Sequence, residues 1–266
     1  METINVASRS FGDVAVSFED QGSGDPYLLL HGGAGPQSMA RLAATLAAAG
    51  SNRVITPSHP GFNGTPRPDG LTTIRGVAGL YTDLLAALDL TGVTVIGNSI
   101  GGWIAAEMAL LNDPRVVAVV ISDAAGLEVE GQPIADVFSL PLDEVTNRSY
   151  FNPDAFRIDL SSLSDAQRAA FAENRRTLAI YAGTSMADPT LRGRLAGISV
   201  PTLVVWGIAD RMIPVAHAEA YAHAIPGTRL EVISTAGHMP QLETPDELLR
   251  LIAEFRTQAL EAEATR

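Results

Sequence analysis

The sequence predicts an α/β fold: a doubly wound, mostly parallel, eight-stranded sheet with a helical lid inserted in the middle of the chain. Three observations carry this. Short apolar runs rich in β-branched residues alternate with helix-period segments over most of the 266 residues. The alternation stops between residues 127 and 197 and then resumes. At Val93-Thr94-Val95-Ile96-Gly97-Asn98-Ser99-Ile100-Gly101-Gly102-Trp103 a buried strand turns into a helix with no loop between them.

In chain order, Phe11, Val14, Val16 and Phe18 form a polar-interrupted strand, and a tight turn at Gly12-Asp13 makes the first residues an antiparallel hairpin. Residues 21–26 are a loop. Tyr27-Leu28-Leu29-Leu30 is a strand running into His31-Gly32-Gly33-Ala34-Gly35-Pro36, whose glycines leave backbone N–H groups accessible. An Ala/Leu helix over 39–49 and a strand over 53–56 follow. Residues 58–68 hold too much Gly and Pro for either element. Ile74, Val77, Leu80, Tyr81, Leu84, Leu85 and Leu88 predict a helix, closed near Gly92. Residues 116–121 form the next buried strand.

The 127–197 segment has helix-like pieces over 134–138, 142–149 and 165–181 and no continuous apolar strand, so it reads as a lid over one end of a core made of 1–126 and 198–266. A strand over 201–206, a helix over 215–224, a strand over 229–233 and an amphipathic helix over 245–260 complete the chain, with 261–266 read as a solvated tail.

A net charge of −12, with 46% hydrophobic and 18% charged residues, describes a folded protein that does not bind nucleic acid or an anionic membrane through bulk charge. A small-molecule substrate fits better. There are no cysteines, hence no disulfide or thiolate metal site. With neither a leader nor a bilayer-length apolar run, the chain is expected in the cytoplasm. Gly22-Ser23-Gly24 lacks the third glycine and following helix of a dinucleotide site, and the five histidines show no close carboxylate pair, so no cofactor or metal is expected. Oligomeric state is left open.

The chemistry gathers at strand ends. Ser99 sits at the strand-to-helix corner, with glycines two positions before and after, where a side chain would be crowded. Asp210 follows one later strand, in Trp206-Gly207-Ile208-Ala209-Asp210, and His238 the next, in Ala236-Gly237-His238-Met239. In a doubly wound sheet the carboxyl ends of the parallel strands share one edge, so these three residues meet. A serine hydroxyl needs a base, neutral histidine is one near pH 7, and a carboxylate fixes the imidazole tautomer.

The order Ser99, Asp210, His238, the Gly97-Asn98-Ser99-Ile100-Gly101 elbow, the His31-Gly32-Gly33 loop and the helical insert together resemble the α/β-hydrolase fold superfamily over nearly the whole chain. The resemblance implies an oxyanion hole from the backbone N–H groups of Ile100 and Gly33, with Ala34 as the near alternative. Asp123, after the preceding strand, is the rival for the acid, because some members of the superfamily carry it there. Asp210 is favoured by the Asp-Arg-x-x-Pro turn that follows it. The implied activity is cofactor-independent hydrolysis of an ester or related acyl compound. The Gly-Asn-Ser-Ile-Gly-Gly elbow also resembles meta-cleavage product hydrolases, which cut a carbon–carbon bond, although Met239 stands where those carry tryptophan. A slow-turnover ligand receptor of the same fold is the third reading.

Remaining candidates have plainer expectations. His31 and His59 brace the oxyanion loop or line the pocket, and His217 and His223 are solvated on a surface helix. Trp103, Phe138, Phe151, Phe156, Phe171 and Tyr181 are core or pocket wall. Arg175 and Arg176 lie on a solvated helix face or meet a substrate carboxylate.

Overall fold

The computed structural model describes residues 1–157 and 162–264. Eight strands form one sheet in the order β1-β2-β4-β3-β5-β6-β7-β8. Strands β1 (Glu2–Ser8) and β2 (Gly12–Gly22) are an antiparallel hairpin, and β2 also pairs antiparallel with β4. The hairpin turn is residues 9–11, with Ser8 paired to Gly12, so it lies earlier than the Gly12-Asp13 turn expected from sequence. The other strands run parallel: β3 (Asp25–Leu30), β4 (Asn52–Pro57), β5 (Val93–Asn98), β6 (Val116–Ser122), β7 (Thr202–Gly207) and β8 (Arg229–Ile233).

Near-continuous apolar runs are explained by burial of both sheet faces. Along β3, Leu28 and Leu30 join one hydrophobic cluster while Tyr27 and Leu29 join the other; along β5, Val93 and Val95 face the first and Ile96 the second. The second face is covered by α1 (Ala40–Ala48) and α9 (Pro245–Ala264), and the first by α2 (Ile74–Ala87), α3 (Ile100–Leu110) and α7 (Ala216–Ala224). Helix α3 is buried all round from Ile100 to Ala109, which is why its sequence shows almost no polar face. Helix α9 runs to Ala264, so the solvated tail expected over 261–266 is helical up to that point; residues 265 and 266 lie outside the described residues. Among the described residues no helix is long and apolar enough to cross a membrane.

Between β6 and β7 come α4 (Leu142–Ser149), a 3-10 turn (Pro153–Phe156), α5 (Asp165–Ala182), α6 (Leu191–Arg194) and a second 3-10 turn (Leu195–Gly197). The helix expected over 134–138 is absent. There the Ala135 N–H donates to the Met212 carbonyl at 2.8 Å, and the chain is tied to that neighbouring segment in place of coiling on itself. Helix α5 begins with a full capping box, Ser164 and Gln167 exchanging hydrogen bonds. One face of α5 clamps the 59–65 loop: Asn174 and Asn63 are doubly bonded, Thr177 donates to the Gly61 carbonyl and Tyr181 to that of Pro60. One more short helix, α8 (Pro240–Glu243), leads into α9.

The β5–α3 corner depends on two absent Cβ atoms. A methyl on Gly97 would overlap the Gly101 carbonyl, and one on Gly101 would overlap the carbonyl of Leu30 on the neighbouring strand. All of these are backbone atoms, so nothing can swing aside. Gly101→Ala is therefore expected to destabilise the protein by about 3 kcal/mol, the upper part of the range for overpacking. Urea unfolding would measure it; a loss below about 1 kcal/mol would mean that the corner yields.

Candidate active site

Ser99 occupies the corner with φ +59° and ψ −121°, a conformation rare for any residue with a side chain. Its side chain makes no capping hydrogen bond to α3, so the hydroxyl is not spent on the helix. Gly32 passes so close that a Cβ there would lie 2.9 Å from the Ser99 Cβ. The oxyanion-loop candidate thus runs directly beside the serine. Among the described residues, no protein acceptor takes the N–H of Gly33, Ala34 or Ile100. Ile100 is the first residue of α3, where helix geometry leaves the N–H free.

Asp210 and His238 come from the loops after β7 and β8 and meet: His238 Nδ1 lies 2.7 Å from Asp210 Oδ2. The other oxygen, Oδ1, accepts the N–H groups of Met212 and Ile213 at 2.8 and 2.9 Å. Asp210 is thereby fixed by its own turn and presents one oxygen to the ring. Burial pushes the His238 imidazole down, but the charge and hydrogen bond of Asp210, with Asp123 behind them, hold its pKa above the ordinary histidine value.

Asp123 is closer to this pair than sequence order suggests. One of its carboxyl oxygens, one of Asp210's and a His238 ring nitrogen all lie within 4.8 Å of one another. The expectation that no histidine has a close carboxylate pair is therefore corrected. Asp123 is fully buried at φ +47°, accepts from the Gly207 N–H at 2.9 Å and from the Ser122 hydroxyl at 2.7 Å, and makes no hydrogen bond to the imidazole. Burial, then the charge of Asp210, push its carboxyl well above the usual carboxylate range. These oxygens are spent on N–H and O–H donors, which is not how a cation site is built.

The His238 loop is braced on three sides. Asn98 Nδ2 donates to the His238 carbonyl at 2.9 Å, and Gln241 in turn donates to Asn98 Oδ1 at 3.1 Å. The His238 N–H donates to the carbonyl of Ser149 at the end of α4. Glu243 accepts the N–H groups of Gly237, Phe151 and Asn152, tying the same loop to the segment after α4. Asn98 and Glu243 escaped the sequence reading as site residues. Asn98 stood inside the elbow motif, but nothing in a sequence says which backbone group an asparagine will hold.

Ser99, His238, Gly33 and Ala34 open into one cavity, enclosing about 1070 Å³ with its open mouth, whose exposed lining is mainly apolar. Of the aromatic candidates, Phe156 and Phe171 line it, joined by Tyr150 stacked on Phe156 at 4.5 Å. Trp103, Phe138, Phe151 and Tyr181 do not. Arg175 reaches the cavity wall and has no hydrogen-bond or ion-pair partner among the described residues, whereas Arg176 is exposed. His223 is exposed as expected, but His217 is not: it is fully buried, and its Nε2 lies 2.8 Å from the Gln132 carbonyl of the segment after β6. His31 and His59 stay out of the cavity and stack on each other behind the loop, ring centroids 3.7 Å apart.

Comparison with known proteins agrees with this architecture. Over 261 residues the chain is 28% identical to the 2-hydroxy-6-oxo-6-(2'-aminophenyl)hexa-2,4-dienoic acid hydrolase of Metapseudomonas resinovorans, covering 92% of this chain and 88% of that one. A thermophilic esterase from Thermogutta terrifontis superposes with a TM-score of 0.78 at 23% identity, over 97% of this chain and 99% of that one. A meta-cleavage product hydrolase from Pseudomonas fluorescens gives 0.78 at 22% identity, over 97% and 98%. The profile of the alpha/beta hydrolase family matches residues 27–251, and the chain belongs to that family.

Proposed function

We propose that this protein is a cofactor-independent serine hydrolase that cleaves a carboxylic ester or related acyl compound. The observation that carries the reading is a single apolar cavity onto which Ser99 and His238 open, with Asp210 2.7 Å behind the imidazole. Ser99 Oγ attacks the acyl carbon as its proton passes to His238 Nε2. Asp210 holds the proton on Nδ1 and stabilises the imidazolium. The N–H groups of Gly33 and Ile100 receive the oxyanion; removing one such donor typically costs about 3 kcal/mol of transition-state stabilisation. His238 returns the proton to the leaving alcohol, and water, deprotonated by the same histidine, releases the acid. Residues 127–197 act as the lid, supported by the cavity walls that α4 and α5 supply.

Carbon–carbon bond hydrolysis of a diketone-like acid is the second reading. It is favoured by Arg175 on the cavity wall, which feels the charge of Asp136 but forms no ion pair or hydrogen bond among the described residues and so suits a substrate carboxylate, and by the dienoic acid hydrolase activity for which the Metapseudomonas resinovorans relative is named. A panel of p-nitrophenyl esters and a 2-hydroxy-6-oxo-dienoate separates the two, with fluorophosphonate labelling located by mass spectrometry. The first reading expects the adduct on Ser99 and ester turnover above that of the dienoate. Faster dienoate turnover, lost in Arg175→Gln, would establish the second. Labelling of Ser99 without turnover of either class would leave a binding protein.

A further inference from the structure

Behind the oxyanion loop lies a group that the proposed mechanism does not use: the buried pair His31 and His59. Every ring nitrogen of the pair has a partner. The His31 carbonyl, 2.8 Å from His59 Nε2, can only accept, so His59 carries its proton on Nε2, and Nδ1 accepts from the Tyr81 hydroxyl at 2.5 Å. The His59 backbone N–H donates to His31 Nε2 at 3.0 Å. That nitrogen is therefore an acceptor, and the proton of His31 sits on Nδ1, which lies 2.7 Å from the Gly32 carbonyl and donates to it. Both rings are fully buried; burial pushes His31 well below the histidine range and His59 to about 4, so both stay neutral.

The end of this chain of bonds is the informative part. The Gly32 carbonyl belongs to the same rigid peptide unit as the Gly33 N–H, and in a trans peptide the two point in opposite directions. The carbonyl is gripped by His31 Nδ1–H and, at 3.1 Å, by the Gly35 N–H. With the carbonyl turned into the protein, the Gly33 N–H is turned outward beside Ser99. Glycine at both positions gives this peptide no side-chain anchor of its own and no steric preference against rotating.

We infer that His31 is the positioning residue of the oxyanion hole: by donating from Nδ1 to the Gly32 carbonyl it aims the Gly33 N–H, and the His59 backbone N–H selects the tautomer that lets it do so. The inference rests on the hydrolase reading above. It differs from a generic bracing role because it requires one particular tautomer and acts on the transition state in preference to the bound substrate.

Two variants and one spectrum test it. His31→Leu removes donor and acceptor together, and kcat for a p-nitrophenyl ester is expected to fall about 100-fold with KM within about threefold, the signature of a mis-set oxyanion donor. Affinity for a trifluoromethyl ketone should fall in the same proportion, while affinity for the alcohol product holds. His31→Asn keeps an N–H and an acceptor at similar spacing and should recover most of kcat. Imidazole ¹⁵N spectra of the wild-type protein should show His31 protonated on Nδ1 and His59 on Nε2, a measurement that does not depend on any variant folding. A His31 ring protonated on Nε2, a kcat loss below about threefold in folded H31L, or a loss in KM that H31N does not rescue would each overturn the inference. An inactive wild-type protein unlabelled at Ser99 would instead overturn the hydrolase reading beneath it.

Discussion

Ser99→Ala is expected to lower kcat by about 10⁵- to 10⁶-fold, as loss of the nucleophile does in serine hydrolases whose triad acts as a unit, while leaving the folded protein intact. The stability half of that expectation comes from the corner itself. The Ser99 side chain makes no capping bond to α3, so alanine deletes no structural hydrogen bond, and both residues meet the same strain at φ +59°. Stability should stay within about 0.5 kcal/mol of wild type. Ser99→Gly should be as inactive and somewhat more stable, because glycine enters this region of backbone space freely. A residue whose removal abolishes turnover without affecting unfolding is there for chemistry. Residual activity above about one per cent of wild type would assign the attack to another group or to directly activated water.

What the sequence makes legible here is whatever has a local steric or periodic cause. The corner was readable because Gly97 and Gly101 are required by backbone atoms that approach them. The meeting of Asp210 and His238 was readable because parallel strands end on one edge. The failures share a cause as well: they depend on what another segment does. His217 has the sequence neighbours of a surface-helix residue, yet its ring meets the carbonyl of Gln132, 85 residues earlier in the chain. Arg175 and Arg176 are adjacent and chemically alike. Helix α5 turns one toward the cavity and the other to solvent because Asn174, Thr177 and Tyr181 commit a third face to the 59–65 loop. Helix α5 has no simple apolar stripe from which that rotation could have been read. Asp123 was correctly placed at a strand end, but its distance from His238 depends on the Gly207 N–H and the Ser122 hydroxyl that hold it, and periodicity carries no information about either.

Asp210→Asn should cost about 10⁴-fold in kcat, and Asp123→Asn less than about tenfold, although both carboxyls lie beside the same imidazole. The difference follows from what each carboxyl faces. In Asp210 one oxygen accepts two backbone N–H groups, so an asparagine keeps its carbonyl there and turns its NH₂ toward His238 Nδ1. A donor now faces that nitrogen, the ring proton moves to Nε2, and His238 can no longer accept the serine proton. At Asp123 the partners are the Gly207 N–H and a hydroxyl. An asparagine carbonyl can keep the first, and the Ser122 hydroxyl can rotate to accept from the NH₂, so the tautomer of His238 is untouched.

The pH profile gives an independent check. In the proposed mechanism neutral imidazole is the working form, so kcat/KM should rise with pH through a His238 pKa held above the ordinary histidine value in the wild type. Asp210→Asn removes the main influence holding that pKa up, leaving burial to push it down, so the residual activity should titrate at lower pH. Asp123 also holds that pKa up, but after the charge and the hydrogen bond of Asp210, so Asp123→Asn should move the limb the same way and by less. If Asp123→Asn proved the more damaging of the two, or moved the limb further, the acid of the triad would be Asp123, and the hydrogen bond between Asp210 and His238 would be structural.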